Sequence, residues 1–410
     1  MGKYFNVKDS LYDITELYKE TIDLFVSIGF ENMVNENQRK TFGKTITLET
    51  ALKLKKINID VFTKNLMDVI EHNRIGNSEE NNYMQKEDAD IKIEGVLPCP
   101  VRIPLMEAFN KWIENSASDY GNEMNYDLKA ASMGVDWLKK ALLKSDNPDI
   151  ISDIFISAGF DLFFDKKLMG KWVSKGIFED VSSLSHYNKE FDNDKISLKD
   201  PKDNYSIIGV VPAIFLINME ELNGRKVPQS WEDILQPEFE NNVSLPVGDF
   251  DLFNAILLNI HKEYGEEGIR RLGKSLSTSM HPSEMVKSHR KQDKPVITIM
   301  PYFFTKMIKE DGPMKPVWPS DGAIISPIFL LSKKNKKEKL KPIVEFFSSK
   351  EVGEILSHNG RFPSVNPEVD NRIDTDKEYM WIGWDYIYKN DIGKLIKMCE
   401  DIFNEAVDNQ

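Results

Sequence analysis

Cysteine is nearly missing from this chain: its 410 residues include two, Cys99 and Cys399. A chain of this length buries a core without disulfides, and one remote pair makes neither a disulfide scaffold nor a four-cysteine zinc site. Both are read as ordinary free thiols. Long apolar runs are also missing. No stretch of about 18 apolar residues occurs, so nothing reads as a membrane-spanning helix. The opening MGKYFNVKDSLYDITELYKE lacks a signal-peptide core, and Asn6 stands where a myristoylation motif needs a small hydroxyl residue. With Met1 as its start, the chain is expected in the cytoplasm. Basic residues are in deficit: 53 Lys and Arg face 66 Asp and Glu, a net charge of −13. Such a surface repels phosphate backbones, which excludes nucleic acid as the expected partner. The sequence has no Ser–His–acid signature, dinucleotide fingerprint, P-loop or HExxH, so no enzyme is expected and no cofactor is assigned. Its histidines, His72, His186, His261, His281, His289 and His358, form no motif at metal-ligand spacing.

What is present is ordinary globular composition, 41% apolar and 29% charged, in two different patterns. Residues 1–75 read as a small helical domain. Ile14, Leu17, Tyr18, Thr21, Phe25 and Ile28 share one helical face, with Gly29 as the stop. A second helix from Thr47 carries Leu48, Ala51, Leu52 and Leu54 inward, and a third from Asp60 carries Phe62, Leu66, Val69 and Ile70. Residues 76–89 lie in a polar, aperiodic stretch that reads as a linker.

From residue 90 short apolar strands alternate with amphipathic helices. DIKIEGVLPCP, DIISDIFISAG, YSIIGVVPAIFLIN, PVITIMPYFF and GAIISPIFLL read as strands, and PLMEAFNKWIE as a helix starting at Pro104. That alternation predicts an α/β fold with helices on both faces of the sheets and ligands at the carboxyl ends of strands. KVPQSWEDILQPEF reads as a short helix capped by Ser230, with Trp231, Ile234 and Leu235 inward. The run SKKNKKEKLK, residues 332–341, has no interleaved aromatic residue and reads as a solvated face.

Three strings carry a family resemblance: VPQSWEDILQPEF at 227–239, PVWPSDGAIISPIFLLSKK at 316–334 and NGRFPSVNP at 359–367. In that order they resemble type II solute-binding proteins of ABC transporters, in the branch that includes ferric-iron-binding proteins. The resemblance implies a two-lobed type II periplasmic-binding-protein fold with two crossover strands, after a small all-α domain. One lobe would take 90–206 plus 320–410 and the other 218–315, with crossovers at IIGVVPAIFLIN and WPSDGAIISP. It implies binding of a small-molecule or oxyanion solute between the lobes, an ABC-transporter permease as partner, and the extracellular side of the membrane as the family norm. Two alternatives remain open: a cytoplasmic ligand-sensing or interaction protein, and a transferase or lyase on the same fold. Residues 8–72 resemble a small helical domain of unknown function whose members carry a central cysteine pair. SIGFENMVNENQRKTF has none here, which points to packing or to docking a protein partner.

Candidate ligand-binding residues sit where strands end. Arg102 is read either as a fork for an anionic solute or as a surface arginine paired within its own chain. Ser157 and Gly159 allow close approach to backbone donors, and Phe160 is a candidate pocket wall. Gly248 lines the rim, and Asp249 either caps the following helix or faces the cleft. Trp318 and Asp321 lie at the return crossover. The iron-binding relatives place two adjacent tyrosines where this chain has Tyr302 and Phe303, so the resemblance implies one phenolate and no bare ferric site. No metal ligand is assigned.

Overall fold

Side chains that alternate between two apolar faces build the sheet of this protein, seen here in a computed structural model. The structure describes residues 4–22, 36–54, 89–116, 124–131, 135–144, 146–149, 151–247, 250–279, 294–309 and 311–410, with Phe25, Phe30, Met33, Ile59, Phe62, Thr63, Leu66, Met67 and Ile70. The chain divides into two compact units, Met1–Glu87 and Asp88–Gln410.

In the first unit, helix α1 (Leu11–Leu17) is capped by the Ser10 side chain, which accepts from the Asp13 amide. Helix α2 spans Leu48–Leu54. Leu11, Ile14, Phe25, Leu48, Ala51, Leu52, Phe62, Leu66 and Ile70 form one small core. Two expectations fail here. Leu17 is 72% exposed and Leu54 68% exposed. Each is the last residue of its helix, beyond the point where the apolar face still meets the core. Ile28, Gly29, Asp60 and Val69 lie outside the described residues.

Among the described residues of the second unit, ten strands join one sheet: β1 (Ile91–Leu97), β2 (Met124–Ala130), β3 (Ile154–Ser157), β4 (Ser206–Asn218), β5 (Val243–Leu245), β6 (Leu276–Ser279), β7 (Ile297–Pro301), β8 (Met314–Val317), β9 (Ala323–Ser332) and β10 (Tyr379–Met380). The order is β2-β1-β3-β9-β4-β7-β5-β6, with β10 beside β9 and β8 beside β4. β4 and β9 are the two crossovers of the two-lobed fold. The first half of β4 pairs with β9 from Ser206–Leu330 to Ala213–Ile324. Its second half pairs with β7 on one side and β8 on the other. β4 is buried almost throughout, as a strand with protein on both faces must be. Gly322 (φ 104°) makes the turn into β9; a Cβ there would lie 2.7 Å from the Tyr379 carbonyl carbon.

Helices cover both faces: α3 (Cys99–Asn115), α4 (Asp136–Lys144), α5 (Phe160–Phe164), α6 (Trp231–Ile234), α7 (Phe250–Ser275), α8 (Lys337–Phe347), α9 (Trp384–Lys389) and α10 (Ile392–Asp408). The α3 helix starts five residues before the expected Pro104. Pro100 occupies its first turn, where an absent N–H costs nothing, and Pro104 is carried inside the helix. Ser230 and Asp233 form a capping box at α6, with Trp231 and Ile234 buried. The helix α7 bends at Gly265 (φ 64°), and the C-terminal α10 packs against both of its arms: the Phe253 and Phe403 rings are 5.1 Å apart. A Cβ on Gly273 would come within 2.7 Å of the Phe403 carbonyl oxygen, so the two backbones approach closely.

Candidate functional site

Strand direction alone aims two carboxyl ends at the crossover point. β3 runs antiparallel to β9, so Ser157 lies opposite Phe329, toward the middle of β9. β7 runs antiparallel to β4 and ends with Pro301 opposite Ala213, the residue at which β4 passes from one lobe to the other. The segments that follow β3 and β7 therefore approach the β4–β9 pair from opposite sides. At the crossing Ser326 Oγ donates to the Ala158 carbonyl at 2.9 Å and to the Asp251 carbonyl at 3.3 Å. The Val210 amide donates to Pro363 O at 2.9 Å, which brings in the loop before Ser364.

Beyond β7 a short 3-10 helix, Tyr302–Met307, meets that loop side chain by side chain. The Arg361 guanidinium lies over the Tyr302 ring, 5.2 Å from its centroid, and its Nη1 donates to Thr305 Oγ1. Lys306 Nζ donates to His358 O at 3.0 Å and Asn359 O at 2.7 Å. Phe303 stacks on Phe362 with ring centroids 6.1 Å apart. Tyr302 also stands edge-on to Trp318 at 5.3 Å, and Trp318 to Tyr379 at 5.5 Å. Trp318 Nε1 donates to Glu378 O at 2.6 Å, which fixes that ring at the crossover. Behind it, burial raises the Tyr379 phenol well above its ordinary value, and the Glu190 carboxylate raises it further. Burial also raises Glu190, against hydrogen bonds from Asn371 and Tyr379 that lower it.

The candidate residues divide. Tyr302 and Trp318 come together, half-buried, at the lobe contact. Ser157 and Gly159 stand at the end of β3, three strands from β7, a lateral distance of roughly 14 Å. Ser157 is fully buried and its Oγ has no hydrogen-bond partner among the described residues. Gly159 adjoins the start of α7, where a Cβ would lie 2.9 Å from Asp251 Oδ1. Phe160 is no pocket wall: it is fully buried, packed against Phe164, Phe329 and Trp381 at 5.8–5.9 Å. A strand-to-helix turn points its first aromatic inward when the helix packs on the sheet. Arg102 is 6% exposed within α3, and its Nε donates to Leu128 O at 2.9 Å, which ties α3 to β2. Asp321 accepts from the Trp231 amide at 2.9 Å and so caps α6. Burial holds its carboxyl above the usual range. Gly248 and Asp249 lie outside the described residues. In sequence Arg361, with Asn359, is a lesser candidate on a late loop, and Lys306 is not a candidate at all. The one signal in the sequence was the arginine of NGRFPSVNP.

Elsewhere in the molecule, a cluster of side chains or a groove could hold a metal or ligand. Among the described residues no group of three or more His, Cys, Asp and Glu is placed to hold a metal ion. A groove of about 590 Å³ on the first lobe is lined by Phe178, Glu179, Asp180, Lys199, Lys202 and Lys334. Two of its lysines meet carboxylates, Lys199 with Asp180 at 2.6 Å and Lys334 with Glu179 at 3.3 Å, and Lys202 lies over the Tyr388 ring, 3.6 Å from its centroid.

Comparison with known proteins follows the same division of the chain. Residues 5–62 match a family model described as a domain of unknown function, DUF1858. No curated protein sequence matches the chain. Among solved structures, the chain is similar to the periplasmic binding protein P5PA, at 18% identity and a TM-score of 0.54, covering 78% of this chain and 99% of that one. It is similar to a ferric binding protein from Campylobacter jejuni, at 17% identity and a TM-score of 0.55, covering 77% and 99%. A Trichodesmium protein solved with iron and citrate is 12% identical with a TM-score of 0.53, covering 77% and 98%. These likenesses carry the fold. The family rests on residues 149–390, more than half of the chain, which match the model described as bacterial extracellular solute-binding protein. A location outside the cytoplasm is the norm of that family, in contrast to the cytoplasmic expectation. With its two-lobed fold and its two crossovers, the chain belongs to the bacterial extracellular solute-binding proteins, a class that binds ligands and does not transform them.

Proposed function

We propose that the solute is held where the 3-10 helix Tyr302–Met307 faces the loop at residues 358–362, beside the β4 and β9 crossovers. One observation carries this reading: Tyr302 and Arg361, from opposite lobes, stand 5.2 Å apart at the point toward which β3 and β7 run. A ligand touching both lobes stabilises the closed state through contacts that the open state lacks. Tyr302, Phe303 and Trp318 supply aromatic walls, and the polar groups around them fix orientation. In this reading the protein works outside the cytoplasm and hands its solute to an ABC-transporter permease. The ferric cargo named for one similar structure does not carry over as a bare ion. Phe303, stacked on Phe362, offers no ligand oxygen, and a lone phenolate is a poor cage for a hard trivalent cation.

The test is chemical. The small molecule that copurifies with the protein is extracted, identified by mass, and titrated back into stripped protein. Tyr302→Ala should weaken its binding by about 1–3 kcal/mol while the fold survives. Equal affinity in the two proteins rules this site out. Titration with ferric ion should give no phenolate-to-iron charge-transfer band at stoichiometric metal, and a strong band would reinstate the ion.

A further inference from the structure

Lys306 and Arg361 bring two positive charges to one contact from opposite lobes. Neither has an ion pair among the described residues, although acidic side chains outnumber basic ones in this chain. The Lys306 ammonium is held below its ordinary value, by burial first and then by the Arg361 charge. Arg361 keeps a left-handed backbone (φ 51°), which a residue with a Cβ adopts at a cost. Its amide donates to Ser357 O at 3.0 Å and the next amide to Leu356 O at 3.1 Å, and these two bonds hold the conformation. Of the five N–H groups of the guanidinium, one donates to Thr305. A planar fork beside a second cation, with aromatic rings alongside, suits a carboxylate or phosphate group on a small organic molecule.

We infer that Arg361 and Lys306 form an anion subsite of the cleft, and that the solute is a small organic anion carrying a carboxylate or phosphate head. The inference rests on the cleft reading above. Binding of such an anion neutralises the repulsion across the contact, so it draws the two lobes together as it binds.

The full-length protein, dialysed free of small anions, is titrated at constant ionic strength with citrate, inorganic phosphate and, as a cationic comparator, spermidine, following the melting temperature. Citrate or phosphate raises it saturably in the wild type, and spermidine does not. Arg361→Gln and Lys306→Gln each weaken the apparent affinity by about 10- to 100-fold. Arg361→Lys, which keeps the charge and loses the fork, recovers part of it. Lys337→Gln, whose lysine pairs with Glu179, leaves it unchanged. A response to citrate alone assigns a carboxylate, and to phosphate alone a phosphate. No saturable response to either anion, or an equal response in Arg361→Gln and wild type, overturns the subsite. The two readings separate cleanly. A neutral or cationic copurifying molecule that loses affinity in Tyr302→Ala but not in Arg361→Gln removes the anion and keeps the cleft. Anion affinity lost in Arg361→Gln, with a copurifying molecule indifferent to Tyr302→Ala, keeps the anion subsite and removes the cleft reading.

Discussion

Two cationic regions of this molecule differ in how their charge is answered. In the run from Lys333 to Lys341 every lysine meets a carboxylate of its own chain. Lys333 and Lys336 reach Asp153 at 3.1 Å, Lys334 and Lys337 reach Glu179, Lys339 reaches Asp90 and Lys341 reaches Glu345. At the lobe contact, Lys306 and Arg361 spend their donors on two carbonyls and a hydroxyl. The first region is finished by folding, and charge there is part of the architecture. Neither cation of the second pairs with a carboxylate among the described residues, and on the anion-subsite reading proposed above a ligand from outside completes it.

Breaking the finished region should have the largest effect. Lys333 and Asp153 are 5% and 4% exposed, so Lys333→Ala strands a carboxylate in the interior. Denaturant unfolding should show a loss of about 3–5 kcal/mol, the scale for removing one partner of a buried pair. A loss as small as that of an exposed lysine would mean that Lys336 alone satisfies Asp153. The same measurement on Arg361→Gln, without added anion, should register about 1 kcal/mol or less, because no ion pair to a described residue is lost. A large loss there would make the arginine architectural and erase the contrast.

The smallest effect tests the second crossover. Asp321 accepts the Trp231 amide, yet burial keeps its carboxyl above the ordinary 3.8. A carboxyl raised in the folded state binds its proton more tightly there than in the unfolded chain. Its contribution is therefore greatest in acid and is lost as pH rises from 3.8 through the raised value. Asp321→Asn keeps an acceptor for the amide and removes that titration. Melting temperatures across this range should fall less with pH in the variant, with neutral-pH stability equal or slightly higher. A lower melting temperature at neutral pH would show that the charge itself holds α6.

Much of the fold was legible because it rests on local pattern. The alternating apolar strands and the capping box at Ser230 follow from side-chain period and turn chemistry within a few residues, whereas the two crossovers were legible only through the family resemblance. Pro104 misled because a proline inside α3 looks, in sequence, like a helix start. The lysine run reads as solvated; Lys336 is half-buried on Asp153, and Lys334, Lys337, Lys339 and Lys341 do reach outward. Lys333 does not, and nothing in SKKNKKEKLK distinguishes it, because its burial depends on Asp153, distant in sequence. The site was harder for the same reason. Tyr302 and Trp318 could be placed by the strand ends they follow. Phe160 and Arg102 follow strand ends as well, and only the packing of α5 and α3 turns them inward. Arg361 and Lys306, 55 positions apart in sequence, acquire meaning only when the lobes face each other.

Hydrogen–deuterium exchange on the full-length protein, with and without its copurifying molecule, tests the cleft most directly. The account predicts new protection in residues 302–307 and 358–362 together, since one solute touches both lobes. Protection confined to one of these segments, or appearing instead along the first-lobe groove at residues 178–185 and 199–204, would contradict it.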